Sequence, residues 1–170
     1  MDLYMVVLRI LHILAGVFWV GSTLLVYFFL QPAAGEVGPA AGPFMTHLST
    51  KKRLPDVILA AAGITILAGL LMYWRVTDGL DADLITSPYG WSITLGALAA
   101  IVAVGLGGSI VRPSMKRAAQ IGQEAAAAGG ATPEQAAQIQ SLQRRVRTIG
   151  NVVTPLLIFA VVAMASARYL

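Results

Sequence analysis

Four long apolar segments constrain the fold of this chain more than any other feature. They cover residues 5–31, 54–75, 90–112 and 149–168. About 20 apolar residues in a helix cross the hydrocarbon core of a bilayer, whereas a membrane strand needs about 9–11 residues of alternating polarity. None of the four segments alternates in that way. The sequence therefore predicts an all-α integral membrane protein, a four-helix bundle formed by a single membrane domain over residues 1–170.

Composition excludes several other classes of protein. Charged residues make up 12% of the chain and hydrophobic residues 57%, while soluble domains carry about 25% charged residues. A small water-exposed fold could not bury so much apolar surface. Cysteine is absent, which excludes thiolate catalysis, iron–sulfur clusters and cysteine-ligated zinc.

Lysine and arginine are distributed unequally between the two ends of the predicted helices. Nine lie in the loops that follow the first and third helices: Lys51, Lys52, Arg53, Arg112, Lys116, Arg117, Arg144, Arg145 and Arg147. Three lie at the opposite ends: Arg9, Arg75 and Arg168. Because basic loops stay in the cytoplasm, we predict a multi-pass protein of the inner (plasma) membrane with both termini outside. The basic residues thus set topology, and we expect the lipid bilayer, not nucleic acid, as partner.

Residues 113–148 are predicted to form a cytoplasmic helical hairpin between the third and fourth membrane helices. An Ala- and Gln-rich stretch extends the third helix as far as Gly129-Gly130. Thr132-Pro133 and Gln135 then match an N-cap, a first-turn proline and the glutamine of a capping box. Two interpretations stay open: a solvated connection, or an arm that docks other membrane subunits.

An ionisable residue, His12, lies inside the first apolar segment, where burial is costly and a functional role is the default hypothesis. Arg9 precedes it by three residues, and Gly16 and Trp19 follow by four and seven, so the four side chains share one helical face. This pattern is typical of a b-haem pocket, with an imidazole on iron, a guanidinium on a propionate and glycine leaving room for the ring. His12 is therefore a candidate metal ligand, and Arg9, Gly16 and Trp19 are candidate cofactor-binding residues.

The same residues permit a second interpretation. In it, Arg9 extends to the membrane surface and His12 hydrogen-bonds across the bundle without any cofactor. Small residues recur at every fourth position on the second helix, at Ala61, Thr65 and Gly69. Such a stripe fits close helix packing as well as space for a flat ring, so both interpretations stay open.

Two methionines are candidates for a sixth ligand to the haem iron. His47 precedes the basic run after the first helix, so it should lie at the cytoplasmic interface, far from His12 in the outer half. Met72 and Met164 lie in the outer halves of the second and fourth helices. Either could ligate in His/Met fashion, although methionine is also a common packing residue. A five-coordinate haem is equally permitted.

The first helix resembles a known family signature. Leu11–Gly21 reads LHILAGVFWVG, with a His-x6-Trp-x-Gly pattern, and resembles the first helix of the copper-resistance D (CopD)-like membrane proteins. That superfamily includes uncharacterised four-helix proteins, the membrane domain of a urate-oxidising enzyme and the HemJ-type protoporphyrinogen oxidases. Arg112-Pro113 and Lys116-Arg117 after the third helix are similar to the uncharacterised branch. The resemblance implies a four-helix membrane fold and favours haem or redox association.

Two differences from members of this superfamily limit the functions that the resemblance implies. HemJ-type proteins carry a histidine and a lysine just inside the third helix, where this chain reads Trp91-Ser92-Ile93-Thr94. Porphyrinogen oxidation is therefore not expected, and we assign no catalytic residue. The chain lacks the soft sulfur ligands that copper transport needs, since it has no cysteine and no closely spaced methionine pair within a span. The leading hypothesis is a haem-associated or redox-linked electron-transfer protein. The alternative is a cofactor-free accessory or structural subunit of a larger membrane complex, and a small-molecule permease comes third.

Overall fold

The computed structural model describes residues 2–170, apart from the side chain of Pro39, and this part of the chain is helical without a strand. The helices are α1 (Leu3–Leu25), α2 (Gln31–Val37), α3 (Gly42–Thr50), α4 (Leu54–Val76), α5 (Ala82–Thr86), α6 (Pro88–Leu106), α7 (Arg112–Ala127) and α8 (Pro133–Ser166). Short π-helical turns join α1 to α2 (Val26–Leu30) and α6 to α7 (Gly107–Val111). The all-helical prediction is confirmed.

Four continuous helical segments are long and apolar enough to cross a membrane. They are Leu3–Val37, Leu54–Val76, Pro88–Ala127 and Pro133–Tyr169. All four extend beyond the predicted apolar segments, the second by a single residue, because helical hydrogen bonding continues into the flanking sequence. The number of candidate spans agrees with the sequence prediction.

The start of α8 shows how local sequence determines a helix boundary. Gly129, with φ of +83°, lies just after the end of α7. Thr132 Oγ1 accepts a hydrogen bond from the backbone N–H of Gln135 at 3.2 Å, and Gln135 Oε1 accepts one from the N–H of Thr132 at 3.0 Å. These reciprocal bonds satisfy two N–H groups that the first turn leaves free. The predicted capping box is confirmed.

The membrane-length helices pack as two antiparallel pairs, α1 with α4 and α6 with α8. The pairs meet in one cluster of buried residues, most of them alanines. The cluster consists of Trp19, Ala61, Ala62, Ala99, Ala100, Ala103, Val153, Leu157 and Ala160. Small side chains let the helix backbones approach closely, which provides the van der Waals contact that holds helices together in lipid. We call the end of the molecule that carries both termini the termini end, and the opposite end, which carries α3 and α7, the hairpin end.

The hairpin end contains a further short helix besides the two helices of the predicted hairpin. The sequence pattern predicts a loop between the first two spans, but part of that loop forms α3, which packs on α7. Gln123 Nε2 donates to Thr50 Oγ1 at 3.0 Å between the two helices. Ile121 of α7 is only 1% exposed, and Ala119 and Ala125 are also buried. One face of α7 is therefore covered by this chain itself.

Candidate functional site

His12 lies half-buried on α1, facing α4. Its Nδ1 is 2.8 Å from the backbone carbonyl oxygen of Thr65. A carbonyl oxygen only accepts, so Nδ1 carries a proton and donates it to this hydrogen bond. The hydroxyl of Thr65 is directed elsewhere, since it donates to the carbonyl oxygen of Ala61 at 2.9 Å. One ring nitrogen of His12 is thereby fixed and the other stays available.

Glycine at position 69 makes this position of the imidazole attainable. A Cβ atom on Gly69 would lie 2.9 Å from His12 Cε1 and 3.0 Å from Nδ1. One turn deeper, a Cβ on Gly16 would meet Thr65 Cγ2 at 3.4 Å. The small-residue stripe of α4 therefore lies directly against α1, and the imidazole rests on the backbone of α4 at Gly69.

The other predicted site residues are distributed unevenly around His12. Arg9 is exposed and takes part in no ion pair among residues 2–170. Trp19 is 5% exposed and belongs to the buried cluster, two turns deeper than His12. Met72 follows Gly69 by three residues, which places it on the neighbouring turn of the same face of α4. Met164 packs instead against α6, its Cγ 3.0 Å from the position of a Cβ on Gly96.

Clusters of metal-binding side chains are absent from residues 2–170, where no three His, Cys, Asp or Glu side chains lie together. The haem hypothesis does not require such a cluster, because haem iron takes only one or two axial ligands from the protein. Of the predicted residues, the structure brings His12 and Gly16 onto one face against α4, the helix that also carries Met72.

A cavity in the hairpin-end half of the bundle was not predicted. Its volume is about 90 Å³, and residues of α1, α4, α6 and α8 line it. Both π-helical turns contribute to its wall, through Val26 and Tyr27 on one side and Gly107 and Val111 on the other. π-helical turns add a residue to a helical turn and frequently occur at functional sites.

Two prolines are the sequence signal that could have revealed these turns. Each π-helical turn ends two residues before a proline, Pro32 or Pro113. Proline has no N–H and its ring crowds the preceding turn, so the helix adjusts its hydrogen bonding there. The two distortions face one cavity only because of tertiary packing, which the sequence pattern did not show.

One of the residues that line this cavity carries a buried hydroxyl group. Thr154 is 2% exposed, and its Oγ1 is the one buried side-chain polar atom without a hydrogen-bond partner in the described part of the chain. A threonine inside a helix normally satisfies its hydroxyl on the carbonyl four residues earlier. Thr154 does not, so its hydroxyl is left without a partner inside the bundle.

Charged side chains cluster at the hairpin end of the same cavity. The carboxylate of Asp56 lies 2.6 Å from Arg112 Nε, 2.9 Å from Lys116 Nζ and 3.4 Å from Arg53 Nε. Three cations therefore share one carboxylate, with two positive charges in excess. Arg112 also lines the cavity, which links this cluster to the apolar interior.

Comparison with known proteins identifies a related sequence without a described activity. A segment of 84 residues is 38% identical to a protein of Escherichia coli described as "Uncharacterized 24.3 kDa protein". The match covers 49% of this chain and 38% of that relative, so this chain spans well under half of the relative's length. No protein-family model matches the chain, and no solved structure does.

Proposed function

We propose that the protein is a multi-pass four-helix bundle of the inner membrane, with its hairpin end in the cytoplasm and its termini end outside. The support is the distribution of charge: nine of the twelve basic residues lie at the hairpin end and three at the termini end. Basic residues next to membrane helices favour the cytoplasmic side. Reporter fusions at residue 130 and after Leu170 should report opposite compartments, and the same compartment for both would contradict this orientation.

We further propose that the protein binds haem b at His12 and takes part in electron transfer. The supporting observation is the hydrogen bond from His12 Nδ1 to the carbonyl of Thr65, a bond that the cofactor-free interpretation of His12 shares. Such a bond orients a histidine ligand and fixes its tautomer. In this proposal His12 Nε2 would be the axial ligand of the iron. A bound haem b would supply one-electron chemistry.

Other residues near His12 would complete the binding. Arg9 lies one turn nearer the termini end and is exposed, so its guanidinium is free to pair with a carboxylate of the ring. Met72 is better placed than Met164 for a sixth ligand, because Met164 packs on Gly96 of α6. Gly16 and Trp19 lie toward the bundle interior, where they would support the helix that carries the ligand.

The second histidine offers a matched control for this proposal. His47 is exposed on α3, at the other end of the molecule, and the chain contains no further histidine. Reduced-minus-oxidised spectra should be recorded for wild type, His12→Ala and His47→Ala, purified from cells supplied with haem. We expect a b-type signal in wild type and His47→Ala and its loss in His12→Ala. A signal retained in His12→Ala, or absent from wild type, would refute the proposal.

The accessory-subunit hypothesis is supported by a different observation. Arg144, Arg145 and Arg147 are exposed on α8 and form no ion pair among residues 2–170; Arg144 donates to Gln140 alone. A free basic surface of this kind fits an acidic partner subunit. In this alternative the protein carries no cofactor and acts through its cytoplasmic hairpin.

Surface substitutions test this alternative better than a deletion. Removing residues 120–138 would also remove buried Ile121. Changing the three arginines to glutamine should release a co-purifying subunit in mild detergent without changing the thermal unfolding of the protein. Gln138→Ala, an exposed change on the same helix, is the control. An unchanged set of co-purifying proteins would argue against the docking role.

A further inference from the structure

One aromatic side chain, Tyr27, bridges the gap between α1 and α8, where the two helix pairs have little contact. Its hydroxyl donates a hydrogen bond to Asn151 Oδ1 on α8. Its ring lies against the backbone of α8 at Gly150, where a Cβ atom would be 2.7 Å from Tyr27 Cδ2. Tyr27 and Gly150 both line the cavity at the hairpin end. Their contact therefore forms part of the cavity wall between α1 and α8.

The outer side of this contact faces lipid in the membrane orientation proposed above. Tyr27 and Asn151 belong to the predicted apolar segments 5–31 and 149–168. The next residue on each helix, Phe28 or Val152, is 51% or 47% exposed. Exposed apolar side chains on a membrane helix contact the acyl chains of the bilayer. Tyr27 therefore lies between the cavity and that hydrocarbon.

The interior of the cavity is itself mostly apolar. Val26, Ile58, Val104 and Val153 are among its lining residues. Its volume of about 90 Å³ is several times what one water molecule needs, but an aliphatic wall offers water few hydrogen-bond partners. Apolar cavities take apolar occupants. The nearest source of such an occupant is the surrounding bilayer.

We propose that the cavity holds the end of an acyl chain from a bilayer lipid, and that Tyr27 is the gate through which the chain enters. Tyr27 belongs to the π-helical turn Val26–Leu30, a distortion of the kind that frequently occurs at functional sites. One hydrogen bond between neutral groups holds its ring against α8, and such bonds between membrane helices contribute only modest net free energy. When the bond to Asn151 breaks, the ring rotates off Gly150 and the wall opens toward lipid.

Trp19 provides a fluorescent probe inside the cavity, since it lines the cavity and is only 5% exposed. The other two tryptophans, Trp74 and Trp91, are replaced by phenylalanine. This single-tryptophan protein is placed in nanodiscs of phosphatidylcholine with or without bromine in the middle of the acyl chains. Bromine quenches an indole only in close contact, so we expect quenching of Trp19 when a chain enters.

A neighbouring residue supplies the reference for full contact with lipid. Phe18 is 45% exposed at nearly the same depth in the membrane. A protein with Phe18→Trp and Trp19→Phe in the same background reports how strongly the bromolipid quenches an indole on the lipid-facing surface.

Two conservative variants test the gate. Tyr27→Phe keeps the ring and removes the hydroxyl, and Asn151→Leu removes the acceptor at similar size. Each should raise the ratio of quenched to unquenched Trp19 emission about fivefold, the effect of losing one neutral hydrogen bond. The double variant should show no further increase, because both changes remove the same bond. A ring that serves only as packing would leave the ratio unchanged in Tyr27→Phe.

Two glycine variants test the route. Gly107 lines the cavity, and a Cβ there meets no atom within 4 Å, so Gly107→Leu has room to fill the cavity and should abolish quenching of Trp19. Gly105 has equal room but is not a lining residue, so Gly105→Leu should leave the quenching unchanged. Circular dichroism establishes that each variant is folded.

Three results would overturn the proposal. They are an unquenched Trp19 in the single-tryptophan protein, the same quenching with Tyr27→Phe as without it, and quenching that persists in Gly107→Leu. The first two need no change at Gly107, so they stand even where that variant fails to fold. Each value compares brominated with unlabelled lipid, so constant quenching by a haem cancels. Because His12 is not a lining residue, the result is independent of the haem proposal.

Discussion

Replacement of Gly69 by alanine tests whether His12 rests on α4 as described. The new Cβ would lie 2.9 Å from His12 Cε1 and 3.0 Å from Nδ1, too close for the imidazole to keep its place. The ring would have to rotate away and give up its hydrogen bond to Thr65. Gly63 provides the matched control, since it lies on the same helix and a Cβ there meets nothing within 4 Å.

The magnitude follows from three contributions. In both variants, alanine in place of a helical glycine favours folding by about 0.5–1 kcal/mol. Only Gly69→Ala loses the hydrogen bond of His12, about 0.5–1.5 kcal/mol, and crowds a packed interface, about 1–3 kcal/mol. Gly69→Ala should therefore be less stable than Gly63→Ala by about 1.5–4.5 kcal/mol.

Unfolding in mixed detergent, followed by circular dichroism as the fraction of denaturing detergent rises, measures this difference. The same pair should also be compared in a His12→Ala background. Once the imidazole is gone, the new methyl group has nothing to displace, and the two alanine variants should agree within about 0.5 kcal/mol.

A stabilisation of Gly69→Ala equal to that of Gly63→Ala would refute the reasoning, since it would mean that no imidazole lies against Gly69. A difference that persists in the His12→Ala background would refute it too. It would assign the effect to some other contact of α4.

Three further predictions use the same unfolding assay. Asp56→Asn leaves three basic side chains without their shared carboxylate and should lower the free energy of unfolding by about 1–3 kcal/mol. The control is Glu124→Gln, at an exposed carboxylate outside these ion pairs, which should change that free energy by less than about 0.5 kcal/mol. Gly90→Ala would drive a Cβ into two backbone carbonyl groups at the end of α5 and should abolish the folded protein, whereas Gly105→Ala, with open space around its Cβ, should fold normally. Thr132→Ala removes the capping box of α8 and should cost about 1 kcal/mol; no loss would show that the cap does not limit stability.

Much of the candidate site at His12 could be predicted from sequence, but the contacts that its residues make with other helices could not. The helical period placed His12 and Gly16 on one face, and both do face α4. The same period could not show that Trp19 belongs to the buried cluster or that Met164 packs on α6, because these contacts depend on which helix lies beside which. The role of Gly69 as the surface under the imidazole depends on the antiparallel register of α1 and α4.

Local chemistry and hydropathy were therefore enough to predict the helical class, the four membrane-length helices and the capping box at Thr132, because each depends on residues within a few turns of one another. Tertiary structure alone decided the carbonyl that His12 meets, the packing of α3 on α7, and the cavity that joins Arg112 to Thr154. These features arise where segments distant in sequence approach within a few ångströms. Such distances are determined by how small side chains interlock between helices, and a one-dimensional pattern of polarity does not contain that information.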